Sequence, residues 1–321
     1  MIDTARTIRP GAPLRGCGTA LVTPFSRDGS LDEQALRRLV RWQIAEGVHF
    51  LVPCGSTGEA ATLSADEHRR VVEVVVAEAD GRVPVVAGAG SNDTAKAIAF
   101  SRTMRDAGAT HLLQVSPMYS KPPQRGIEAH FRAIADTTDL PVVLYNVPGR
   151  TASNVEAATI LRLAEVPNIV AVKDASGNLA QVDAILRDRP ADFAVLSGDD
   201  ALTFAMLGLG AEGVISVISN ATPRATAQLC DMAAAGQADA ALDAHRRLGP
   251  WIDAAFIESN PIPVKAALAM LGVCENVLRL PLVPLAEAHR ERVEHALRAA
   301  GAFDHAPGAP APAAGEGLAV V

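Results

Sequence analysis

The 321-residue sequence has no CxxC pair: its four cysteines, Cys17, Cys54, Cys230 and Cys274, are scattered. Such scatter offers no disulfide framework and fits a reducing compartment. No apolar run reaches the roughly 18 residues that a membrane span needs. The opening Met-Ile-Asp-Thr-Ala-Arg lacks the basic-then-apolar layout of a signal peptide. The eight histidines show no HExxH or comparable ligand spacing, so no metal site is expected. Positive charge is not in excess, the net charge being −7, which argues against a nucleic-acid partner. The glycine fingerprint of a dinucleotide fold is also missing. Gly88-Ala-Gly90 gives only a G-x-G, which a tight strand-to-helix turn explains. These absences describe a protein expected in the cytoplasm, with no membrane or nucleic-acid partner and no metal or organic cofactor.

What is present is an apolar, moderately charged chain, 49% hydrophobic and 20% charged, long enough for one α/β barrel with additions. Short β-rich runs alternate with helical patterns, the signal for βα units around a parallel sheet. The strand candidates lie at 18–25, 49–54, 83–87, 111–117, 141–148, 168–174, 193–198 and 213–219. Ser-x-x-Glu capping boxes at Ser30–Glu33 and Ser64–Glu67 open two of the helices between them. Eight such units predict an α/β fold of the (β/α)8 TIM-barrel type. Helical patterns at 222–257, 262–272 and 285–300 add a C-terminal helical extension. The expected division is an N-terminal arm (1–15), the barrel (16–221), the last barrel helix with the extension (222–301), and a disordered Ala/Pro/Gly-rich tail (302–321).

In such a barrel the chemistry gathers at the C-terminal strand ends. The sixth strand runs from apolar Ile169-Val-Ala-Val172 straight into Lys173. Burial disfavours a charged amine, and a neutral amine is the nucleophile that makes Schiff bases with ketones. The ordinary alternative is a strand-end ion pair with Asp174 or another carboxylate. Tyr145 ends the neighbouring fifth strand, and a phenol beside an amine supplies the proton transfers that Schiff-base chemistry requires. Ser56 and Thr57, between glycines, suit a small carboxylate, Tyr119 could extend a hydroxyl chain, and Arg150 could fork onto a substrate carboxylate. Each has a plainer reading as turn chemistry, packing or a surface salt bridge. Cys54 beside that turn has no suitably spaced histidine and reads as a small buried apolar residue.

Three blocks, Gly55-Ser-Thr-Gly-Glu59, Tyr145-Asn-Val-Pro-Gly-Arg-Thr151 and Val172-Lys-Asp-Ala-Ser-Gly-Asn178, resemble signatures of the dihydrodipicolinate synthase and N-acetylneuraminate lyase superfamily, over residues 16–301. The Pro148-Gly-Arg-Thr151 turn, Ser116-Pro-Met-Tyr119, Asn260-Pro-Ile-Pro-Val-Lys265 and Leu278-Arg-Leu-Pro281 are most similar to its synthase branch. The resemblance implies condensation of pyruvate with aspartate semialdehyde, on the route to diaminopimelate and lysine. It further implies a Schiff base on Lys173, proton transfer by Tyr145, and a relay through Ser56 and Tyr119, the latter reaching a neighbouring subunit's site. Thr57, Gly198 and the main chain at Ile215 would bind pyruvate and its partner substrate, and Arg150 would receive the semialdehyde. The covalent pyruvate takes the place of a cofactor, and a homo-oligomer is implied, a dimer or a dimer of dimers such as a homotetramer.

Two alternatives stay open: a pyruvate-dependent aldolase acting on a 2-keto-3-deoxy sugar acid, and a pyruvate-binding barrel without turnover. Feedback-sensitive members of the superfamily bind lysine through a set of which His68 and Asn92 remain here. Ala65, Lys96 and Met118 stand at the other positions, and a lysine in place of a carboxylate repels the effector's amine. Weak or absent inhibition by lysine is expected.

Overall fold

Alternating β-rich runs and capped helices build eight parallel strands, each followed by helical chain, in a computed structural model that describes residues 14–307. The strands are β1 (Gly16–Ala20), β2 (Phe50–Val52), β3 (Val86–Gly88), β4 (His111–Val115), β5 (Val142–Asn146), β6 (Ile169–Asp174), β7 (Ala194–Ser197) and β8 (Gly213–Ser216). Between them run α1 (Glu33–Ala45), α2 (Ala65–Ala79), α3 (Thr94–Asp106), α4 (Gln124–Ala135), the single turn α5 (Pro148–Thr151), α6 (Ala157–Ala164), α7 (Leu179–Asp188) and α8 (Thr203–Gly208). Four further helices follow β8: α9 (Pro223–Ala234), α10 (Ala238–Ala255), α11 (Ile262–Met270) and α12 (Glu287–Ala299).

The strands pair in the order β2-β1-β8-β7-β6-β5-β4-β3, all parallel. A bridge between Leu51 and Val85, with Gly88 N–H donating to the Pro53 carbonyl at 3.0 Å, joins β2 to β3 and closes the ring. Closure needs Gly88, because a Cβ there would lie 2.0 Å from the Cys54 carbonyl oxygen. The expected (β/α)8 barrel is thus the observed fold. Strand alternation sorts side chains into two layers. Ala20, Phe50, Val52, Val86, Leu113, Val143, Tyr145, Ala171, Leu196 and Ile215 fill the interior, while residues such as Val142, Leu144, Val172 and Val195 face the helices.

Several boundaries differ from the sequence expectation, each for a local reason. Ser64 and Glu67 form the reciprocal capping box as predicted. At α1, however, the cap is Asp32, whose side chain accepts from Ala35 N–H, whereas Ser30 bonds to Asp28. The single pattern over 222–257 is interrupted between α9 and α10, where Gly236 adopts φ +74°. The expected arm and tail are ordered at their inner ends. Leu14 is buried in the barrel interior, worth about 2 kcal/mol of apolar burial. Ala302–His305 forms a further helical turn, where Trp42 Nε1 donates to the His305 carbonyl at 2.7 Å. The remainder of both segments lies outside the described residues.

Candidate active site

Lys173 and Tyr145 are register partners across β6 and β5. Both occupy inward positions of their strands, so the period of two that buries Ala171 and Val143 also delivers an amine and a phenol to the barrel mouth. Lys173 is 5% exposed, and its Nζ stands 4.1 Å from the centroid of the Tyr145 ring. Among the described residues neither Nζ nor the Tyr145 hydroxyl has a hydrogen-bond or salt-bridge partner.

The same alternation turns Asp174 to the other face. Its carboxylate accepts from Asn146 Nδ2 (3.0 Å), Ser176 N–H (3.0 Å) and Ser176 Oγ (2.6 Å). A strand-end ion pair therefore does not explain Lys173. Asp174 instead supports the loops, since Asn146 Oδ1 accepts from Val155 N–H, and Asn154 and Gln181 join the same network. This network fixes the β5–α6 loop that carries Arg150.

A cavity of about 430 Å³ opens over the pair. Its lining includes Lys173, Tyr145, Ser56, Thr57, Arg150 and Gly198, so six of the eight candidate residues converge from β2, β5, β6 and β7. Thr57 is buried and Ser56 exposed in the loop after β2. Arg150 sits on the rim, where one guanidinium nitrogen donates to the Asn260 carbonyl at 3.3 Å. At Gly198 a Cβ would come within 3.0 Å of both Cγ and Cε of Lys173 and within 2.9 Å of Ala175 Cβ. Glycine there leaves the lysine its straight path into the cavity. Gly198→Ala is accordingly expected to slow borohydride trapping of a keto acid on Lys173 by about 10²-fold, the scale of an ångström-sized misplacement. Circular dichroism should show an unchanged fold, and a trapping rate equal to the parent's would refute the role of this glycine.

The other two candidates lie elsewhere. Tyr119 is 90% exposed in the loop after β4, held at φ +74°, and does not line this chain's cavity. Ile215 packs inside the barrel, so only its main chain is left to serve a ligand. Cys54 is buried, and burial pushes its thiol up. Among the described residues no group of three His, Cys, Asp or Glu is arranged to hold a metal ion.

Among the lining residues that had no role in the sequence reading are Asp199 and Asn260. Asp199 follows Gly198; one carboxylate oxygen caps Ala201 N–H at 3.0 Å, and the other faces no described donor. Asn260 is buried, with Nδ2 donating to Thr57 Oγ1 at 2.9 Å and Oδ1 left without a partner. Asp199 was visible to the strand-end rule. Asn260 was not, because it comes from the C-terminal extension.

The sequence profile of the dihydrodipicolinate synthetase family matches residues 13–300. A 4-hydroxy-tetrahydrodipicolinate synthase from Koribacter versatilis is 50% identical over 294 residues, which cover 91% of this chain and 98% of that protein. One from Methanothrix thermoacetophila is 49% identical over 284 residues, covering 88% and 96%. The solved dihydrodipicolinate synthase of Thermotoga maritima superposes with a TM-score of 0.88 at 42% identity, covering 90% of this chain and 99% of that one. The Acinetobacter baumannii enzyme, solved in complex with pyruvate, gives the same TM-score and identity and covers 89% and 99%. By sequence over nearly its whole length and by fold, this chain belongs to the dihydrodipicolinate synthetase family.

Proposed function

We propose that the protein is a lyase that condenses pyruvate with L-aspartate 4-semialdehyde through a Schiff base on Lys173, giving 4-hydroxy-tetrahydrodipicolinate for diaminopimelate and lysine biosynthesis. The observation that carries this is the buried amine, without a hydrogen-bond or salt-bridge partner among the described residues, set over the Tyr145 ring at a small cavity. Nζ attacks the pyruvate ketone, Tyr145 hands a proton to the departing hydroxyl, and water leaves as the iminium forms. Loss of a methyl proton gives the enamine, whose carbon bonds to the aldehyde carbon while the aldehyde oxygen takes up a proton. The amino group of the condensed product then attacks the iminium carbon, closing the ring and releasing Lys173. No external cofactor enters these steps.

The remaining roles are the ones the family resemblance implies. Thr57, with the Ile215 main chain, receives the pyruvate carboxylate, and Ser56 continues the proton path from Tyr145. Tyr119 completes that path in a second copy of the chain. An aromatic hydroxyl held almost fully outside its own fold at a left-handed backbone position supports this reading, and with it a homo-oligomer.

The choice of aldehyde rests on charge. Arg150 suits a carboxylate, and the Asp199 oxygen that faces no described donor offers an acceptor for an ammonium group in the same cavity. A zwitterionic amino-acid aldehyde needs both, whereas a neutral chain of sugar hydroxyls leaves the arginine unused. The test is turnover with pyruvate plus aspartate semialdehyde against cleavage of 2-keto-3-deoxygluconate. Preference for the sugar acid sinks this assignment, and a pyruvate adduct without aldehyde consumption marks a binding barrel.

L-Lysine at millimolar concentration is expected to leave turnover within about twofold of the untreated rate. His68 is buried, with its ring nitrogen Nε2 2.7 Å from the Gly88 carbonyl, and Lys96 adds positive charge on the first turn of α3. A steady-state assay showing inhibition to completion would overturn that expectation.

A further inference from the structure

The C-terminal extension enters the site through a buried ion pair that the reaction itself does not use. Lys265, on α11, donates to Glu59 Oε1 at 2.5 Å and to the Val277 carbonyl at 2.6 Å, and both charged side chains are 0% exposed. Glu59 closes the Gly55–Glu59 loop from a left-handed position, φ +52°, and its second oxygen accepts from Arg279 N–H at 3.0 Å. The Arg279 guanidinium bonds to Glu67, the Thr62 carbonyl and the Gly29 carbonyl. Phe25 packs against both cations, with Lys265 Nζ 4.1 Å and the Arg279 guanidinium carbon 4.2 Å from its ring centroid.

Five residues before Lys265, Asn260 touches both halves of the cavity. Its amide holds the Thr57 hydroxyl, and its carbonyl receives Arg150. A pair of apolar side chains could pin α11 to the barrel without the desolvation that two buried charges suffer. What the ion pair adds is direction, since a carboxylate with both oxygens engaged fixes the height and angle of the loop above it.

We propose that Glu59 and Lys265 are positioning residues that set Thr57 and Asn260 against each other, so that the extension completes both the keto-acid and the aldehyde subsites. The proposal rests on the Schiff-base reading above. Lys173 and Tyr145, carried on β6 and β5, lie outside the device. Its loss should therefore weaken binding of both substrates while leaving the chemistry per competent site intact.

The test compares the parent with Glu59→Gln/Lys265→Met, in which neither buried charge is left unpaired, and counts competent sites by borohydride-trapped pyruvate. Expected are a cooperative melt, KM for pyruvate and for the aldehyde each raised about tenfold, and kcat per trapped site within about threefold of the parent. A second arm adds Thr57→Val. If the pair works through Thr57, its loss then raises KM for pyruvate little further. A merely structural pair lowers the number of trapped sites and leaves both KM values unchanged, which overturns the proposal, as does full additivity with Thr57→Val. Should the double variant fail to fold, Glu59→Gln alone is judged by the same two KM values. Absence of any pyruvate adduct in the parent overturns the Schiff-base reading and this proposal together, whereas an active parent with unmoved KM values in the variants overturns this proposal alone.

Discussion

Lys173→Ala is expected to abolish the borohydride-trapped pyruvate adduct and to lower turnover by on the order of 10⁴-fold or more, because covalent attachment supplies effective molarities of about 10⁵–10⁸ M. Its melting temperature should stay at or above that of the parent. Nζ has no partner among the described residues, so the substitution strands no opposite charge and empties space that already belongs to a cavity. Removing an amine from a desolvated place relieves the protein of a group kept for function. Lys265 predicts the opposite signature. Its amine is bonded to Glu59 and the Val277 carbonyl with no exposure, and Lys265→Met alone would leave a buried carboxylate uncompensated, at about 3–5 kcal/mol. Burial pushes the Lys265 amine below its ordinary range, and Glu59 opposes that shift. Mass mapping of the adduct together with thermal melts of the two variants separates the roles. An adduct surviving in Lys173→Ala would end the mechanism proposed here.

The two buried lysines also show how far the sequence carries. Lys173 stands out because a strand of Ile, Val and Ala runs into it, and the period of two then says which neighbour shares its face and which does not. Tyr145 at the end of the adjacent strand was legible for the same reason, and register alone brought the two together. Lys265 sits in a helical pattern whose buried face cannot be assigned without knowing what packs on it. Its partner Glu59 lies 206 positions earlier, in a loop with no periodicity. Eight repeated βα units were visible because each repeat carries its own local signal, as at the Ser64–Glu67 capping box. The break at Gly236 is local, a left-handed glycine ending α9 where Gln237 N–H donates to the Met232 carbonyl, whereas the inward Leu14 depends on neighbours distant in sequence and no local pattern announced it.

The same division explains the site. Residues that follow a strand, such as Gly198 and Asp199, inherit their place from the barrel, so counting strands finds them. Gly198 was named from the family resemblance, but the reason for glycine, the closeness of Lys173 Cγ and Cε, belongs to packing. Asn260 reaches the cavity from outside the repeat, through a contact with Thr57 across 203 positions. Tyr119 marks another limit, since its 90% exposure is a property of the folded loop that no periodicity in the sequence announces.

Tyr145→Phe should separate proton transfer from covalent capture. Turnover is expected to fall by about 10²–10⁴-fold, the usual contribution of a positioned acid–base group, while the trapped adduct on Lys173 still forms, more slowly. The ring stays in the barrel interior and the lost hydroxyl has no described hydrogen-bond partner, so stability should be nearly unchanged. Two steps need the phenol. Carbinolamine dehydration must protonate a leaving hydroxyl, and attack on the aldehyde must protonate a developing alkoxide. Prolonged incubation with pyruvate lets the first step reach completion without help, whereas each catalytic cycle has to pass the second. Single-turnover mixing of preformed adduct with the semialdehyde should therefore show the larger share of the defect. If the variant instead turns over within about tenfold of the parent, the proton comes from another group, and Ser56, the exposed hydroxyl that lines the cavity in the loop after β2, becomes the one to remove next.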